Sequence, residues 1–148
     1  MILTKRESGL EFGYPTSMSD TPVKELRSLP SLGPLMMKAL FSSKKGLARG
    51  SELPALANQI ESVQLDPHRL ARMRELCGIP ESPELPPTAL HILAAPLHID
   101  LLTDKRFPIK AMGIVHASNR IRCLAPVPVG ASVSMGCEIG DTRWKSSG

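Results

Sequence analysis

The stretch Leu85–Ile121, LPPTALHILAAPLHIDLLTDKRFPIKAMGIVHASNRI, decides how the rest of the chain is read. It opens with a proline-stiffened lead-in, Leu85-Pro86-Pro87, after which Thr88 can cap a first helical turn by accepting from its free N–H groups. Leu90, Leu93, Ala94, Leu97 and Leu101 then recur at helical spacing, and Ala95, Ile99 and Leu102 widen the apolar stripe. A helix over about 88–103, covered on more than one side, is expected. Pro96 removes one hydrogen bond inside it and kinks it at a local loss of about 3 kcal/mol. A strand is expected to begin near Ile114.

Upstream, Met1 to about Pro30 is polar, without periodicity, and reads as a flexible extension. Residues 31–148 then form one domain, with 42% hydrophobic residues in 148 to fill a core. Leu32–Phe41 is expected to form a short amphipathic helix followed by Lys44, Lys45 and Arg49. It docks on its own domain in one reading and lies on a membrane surface in the other; the first is adopted because the apolar face is short and lacks Trp. Ala55–Leu65 reads as a first strand. Asp66 is a good N-cap, Pro67 suits the first helical position and Gly78 a helix end, so Leu70, Met73, Leu76 and Cys77 line one face of a second helix. Arg69, Arg72 and Arg74 lie off that stripe, where a solvated face explains them more simply than a phosphate. Four prolines in 79–87 make an extended connector.

The strand expected at about 114–124 sets Val115, Ala117, Ile121 and Cys123 against His116, Ser118, Arg120 and Arg122, with Asn119 breaking the pattern. Ala131–Ile139 alternates cleanly and reads as a half-buried antiparallel strand. A fourth short strand is conceivable near Ile109.

Composition narrows the function. A net charge of +4 is mildly basic, and five aromatic residues give no base-stacking surface, so nucleic acid is not an expected partner. Cys77, Cys123 and Cys137 are odd in number and widely spaced, as expected of small buried thiols in a reducing compartment. No apolar run reaches the length of a membrane span and the first residues lack a secretory pattern. A cytoplasmic protein with no membrane partner is the expectation. His91 and His98 are seven residues apart, beyond the i,i+4 spacing of helical metal ligands, so polar tips are favoured over ligation and no metal or cofactor is expected. Hydrolase, zincin, P-loop and dinucleotide motifs are missing from the sequence.

The quoted stretch, with LPSLGPLMMKAL, DPHRLARMRELCG and GIVHASNRI, resembles the N-terminal half of MaoC-like acyl dehydratases, relatives of (R)-specific enoyl-CoA hydratases, from about Leu29 to Trp144. The resemblance implies an α+β, hotdog-like fold in which a curved antiparallel sheet wraps a central helix at about 88–103. It implies hydration of an enoyl thioester by an Asp and a His five residues later, in a segment ending in His-Gly. Neither is present: Val63, Pro86, Leu93 and Ala111 stand five before the four histidines, and no His is followed by Gly. In two-unit members the catalytic motif belongs to the second unit. The chain is therefore expected to be a non-catalytic half, binding an acyl-CoA or acyl-carrier-protein thioester or forming a dimer surface, with a second hotdog unit or a further copy as partner. No catalytic residue is assigned. His116 and Asn119 are the tunnel or interface candidates, ordinary sheet-face hydrogen bonding being the plainer account of both. Three strands, at about 56–65, 114–124 and 131–139, leave the sheet short of its last strands and the 131–139 edge uncovered. An interaction module, or a truncated remnant with no ligand, is the alternative.

Overall fold

The computed structural model describes residues 2–5, 21–140 and 142–144. The architecture is α+β. Strand β1 (Ile2–Lys5), β2 (Val23–Leu26), β3 (Ala57–Val63) and β4 (Val133–Glu138) form one sheet in the order β1-β4-β3-β2. Helices α1 (Leu32–Phe41), α2 (Pro67–Cys77), α3 (Pro87–Leu93) and α4 (Ala95–Leu102) complete the fold, with a 3-10 turn at Ala111–Gly113.

The sheet is mixed. β4 runs antiparallel to both β1 and β3, whereas β2 and β3 are parallel. That follows from the connection: a chain leaving β2 through α1 returns to the same end of the sheet and enters β3 in the same direction. The expected all-antiparallel sheet is corrected accordingly. The expected extension over 1–30 is corrected at β1 and β2; Met1 and residues 6–20 lie outside the described residues. β4 is also no edge, since β1 and β3 flank it on either side. A bulge interrupts β3 between Ile60 and Val63, where Ser62 takes a positive φ of 56°.

α3, α4 and α2 pack on this sheet. Leu85, Ala89, Leu90, Ala94 and Leu97 close on Ile60 and Val63 of β3, Val133 and Met135 of β4, and Leu70 of α2. Leu97 and Met135 are wholly buried. A second cluster holds Leu56, Leu101 and Phe107, with Ile109 packed against it from a loop rather than a strand.

The helix ends show why these residues form these elements. Asp66 Oδ1 accepts from the His68 N–H at 3.0 Å, Pro67 takes the first turn, and Gly78 ends α2 at φ 63°. Just past it, the Ile79 N–H donates to the Arg74 carbonyl at 2.9 Å. Thr88, however, is not a cap. Pro86 holds that position and the helix starts at Pro87, so the exposed Thr88 lies within the first turn. Pro87 has no N–H to satisfy there, which removes the need for a threonine acceptor. At Pro96 the expected kink is an interruption one residue long, with Ala94 between two helices and Pro96 in the opening turn of α4.

Two further expectations fail. No strand forms at 114–124; the segment is extended and exposed, Val115 to 84%. Alternation alone does not make a strand, and β4 already has a partner on each side. Cys77 and Cys123 are exposed and only Cys137 is half-buried, burial pushing its thiol up to about 11. On α2, Leu70 is buried and Met73 half-buried, while Leu76 and Cys77 face outward.

Candidate functional site

Three imidazoles gather where α3, α4 and the segment after the 3-10 turn meet. His91 comes from α3 and His98 from α4, and their ring centroids are 5.4 Å apart at 46°. Seven residues of straight helix rise about 10.5 Å, so the two rings lean toward each other across the break at Ala94. His116 brings a third ring to 6.2 Å from His91. Asn119 Nδ2 donates to His91 Nε2 at 3.3 Å. In the neutral ring this leaves the proton of His91 on Nδ1.

His91 and His98 are half-buried, whereas His116 and Asn119 are exposed on the extended segment. Burial holds the His98 pKa below its usual 6.5, and the neighbouring His91 and His116 add to the effect. Such a group keeps an uncharged imidazole at neutral pH, able both to accept and to donate a hydrogen bond. His116 and Asn119 thus stand together, beside His91 and His98, although not on the strand expected to present them. Among the described residues, no group of three or more His, Cys, Asp or Glu could hold a metal ion.

A second polar group lies inside the fold. Asp100 of α4 accepts from Lys24 Nζ of β2 at 2.9 and 3.0 Å and from Asn58 Nδ2 of β3 at 3.0 Å. Asn58 Nδ2 also donates to the Leu97 carbonyl at 3.0 Å, and its Oδ1 is buried without a partner. The Asn58 side chain is fully buried and Asp100 nearly so. Sequence reasoning missed this group. Its signals were Asn58 at an inward position between Leu56 and Ile60, and Asp100 as the one acid inside an apolar helix.

The basic face of α2 resolves differently. Arg74 donates to the Ser82 and Glu84 carbonyls at 2.8 and 2.9 Å, pinning the proline-rich connector. That connector in turn pairs with 127–129, the Leu85 N–H donating to the Val127 carbonyl at 2.7 Å. A shallow depression on α2 is lined by His68, Arg72 and Glu75 and shares no residue with the imidazole group.

Fold and site define an α+β unit whose broken helix, set against a mixed sheet, carries His91 and His98 beside the His116 ring. Among known proteins it is similar to 3-hydroxyacyl-thioester dehydratase X of Mycobacterium tuberculosis (strain ATCC 25618 / H37Rv), with 26% identity over 100 residues. That alignment takes in 68% of this chain and 36% of the dehydratase, so the chain spans about a third of the relative it matches. No protein-family model and no solved structure matches the chain. Among the described residues, no helix is long and apolar enough to cross a membrane.

Proposed function

We propose that this chain is an acyl-thioester-binding or dimerisation unit of a hotdog-type, MaoC-like acyl dehydratase, without catalytic residues of its own. The observation that carries the reading is the similarity to a 3-hydroxyacyl-thioester dehydratase across 68% of the chain. The lack of an Asp five residues before any His separates the unit from the hydration step itself. α3 and α4 correspond to the helix that a curved sheet wraps in that architecture. His116 and Asn119, with His91 and His98, form the polar end of the acyl tunnel or of the contact with a second unit. That partner is a further hotdog unit or another copy of the chain, meeting the sheet along β1 or β2, and the setting is the cytoplasm.

The test pairs binding with turnover. The purified chain should be stabilised against heat by butyryl-CoA, an effect reduced in His116→Ala and Asn119→Ala, and should leave crotonyl-CoA unhydrated. Hydration of crotonyl-CoA by the chain alone would overturn the non-catalytic reading. An unchanged melting point with butyryl-CoA, and with a butyryl carrier protein, would remove the thioester-binding reading and leave the dimerisation role.

A further inference from the structure

Helix α1 is apolar nearly all round, yet its own domain covers only part of it. Leu35 and Ala39 are buried toward α4 and the 3-10 turn, while Met36, Met37, Leu40 and Phe41 are 45%, 54%, 56% and 74% exposed. A helix greasy on every side is normally enclosed. The apolar surface continues onto the neighbouring turn, where Met112 is 58% and Val115 84% exposed. The Gly46 N–H donates to the Pro108 carbonyl at 3.0 Å, tying the chain after α1 to the segment that leads into that turn.

The charges on these two stretches have one sign. Residues 31–50 hold four Lys or Arg and no acid, and residues 105–137 hold five and no acid. All fourteen Asp and Glu lie elsewhere, against nine cations, although the chain as a whole is only +4. The same two stretches supply eleven of the fourteen large apolar side chains that stand exposed among the described residues. Exposed grease and an excess of cations coincide, although Arg106 is paired with Asp104 at 3.1 Å and Lys44 donates to the Asp104 carbonyl.

We propose that α1 and the Ala111–Val115 segment form a docking surface for an anionic lipid membrane, on which the protein lies without crossing it. Met36, Met37, Leu40 and Phe41 enter the boundary between headgroups and acyl chains, and the lysines around them reach lipid phosphates by their flexible stems. A second copy fits poorly, because its cations would face these cations. An ordinary protein partner fits less well than lipid. Protein interfaces are depleted in Lys, whereas these stretches contain five Lys beside their four Arg.

Co-sedimentation of the full chain with vesicles tests this. The protein should pellet with phosphatidylcholine–phosphatidylglycerol vesicles and stay in solution with phosphatidylcholine alone. Raising ionic strength to about 1 M, where the screening length is about 3 Å, should release it. Met37→Ser with Phe41→Ser should weaken binding by about tenfold while leaving melting unchanged, since neither side chain joins the core. Lys45→Glu should weaken it as well, by a route that leaves α1 intact. Equal partition to both vesicle types, or unaltered binding by both variants, would overturn the proposal. So would displacement by soluble glycerol 3-phosphate, which would mark a small-anion site, or a stable dimer in which α1 is protected from hydrogen exchange.

Discussion

β4 and the segment 114–124 look alike in sequence and behave differently in the fold. Both alternate apolar and polar residues, yet β4 pairs on both sides and buries Val133 and Met135, while 114–124 is extended with Val115 and Leu124 in solvent. The difference lies in what surrounds them. β4 has β1 and β3 to take its backbone donors and acceptors and the α3–α4 face to take its side chains. The other segment is held through side chains, chiefly His116 beside His91 and Asn119 bonded to it. One region is fixed by packing; the other is attached by a few polar contacts. Reactive or adaptable surface belongs with the second kind.

Truncation should separate the two regions most widely. Leu97→Ala removes a wholly buried side chain between the sheet and the helices, and should cost about 2–5 kcal/mol in chemical denaturation. Val115→Ala, on the exposed segment, should stay within about 0.5 kcal/mol. Equal losses would show that 114–124 is packed in solution and dissolve the contrast. The next largest effect concerns the polar group inside the packed region. Asp100→Ala takes the acceptor from Lys24 Nζ and from one proton of the buried Asn58 amide, at about 1–3 kcal/mol. Asp100→Asn should recover part of that loss by supplying an uncharged acceptor to Asn58. A neutral outcome for Asp100→Ala would mean that water replaces the carboxylate.

Much of the scaffold was legible because its signals are local. Asp66, Pro67 and Gly78 bound α2 through caps that act within one or two residues, and the alternation in 57–63 and 133–138 marks half-covered strands. What escaped depends on distant pieces of chain. Val23–Leu26 has little strand character alone and becomes β2 because β3 offers it an edge. Nothing in Ala131–Ile139 says that Ile2–Lys5 will cover it. The site was legible in its residues rather than its geometry: His116 on the polar face of an expected strand and Asn119 among its apolar set stood out in the sequence, but they assemble with His91 and His98 because a loop folds back onto a broken helix. A kink at Pro96 could be read from sequence; that the helix is interrupted at Ala94 and that two histidines seven residues apart are neighbours there could not.

The smallest expected effect probes the attachment of the exposed segment directly, through pH. Burial, with His91 and His116 nearby, holds the His98 pKa below the 6.5 it has when unfolded. The unfolded chain therefore binds the proton more readily. The contribution of His98 to stability is complete above pH 6.5 and declines as pH falls toward its folded value. His98 lies against His91, whose Nε2 accepts from the Asn119 amide, so charge gained at His98 disturbs the contact that tethers 114–124. Acidification from about pH 7 to about pH 5 should thus lower the denaturation midpoint modestly and speed amide exchange in 114–124 before it touches β4. His98→Gln should flatten the stability slope over that range. Asn119→Ala should raise exchange in 114–124 at neutral pH with almost no change in global stability. If β4 and 114–124 opened together on acidification, the imidazoles would be acting on the core, and the division between a packed region and a tethered one would fail.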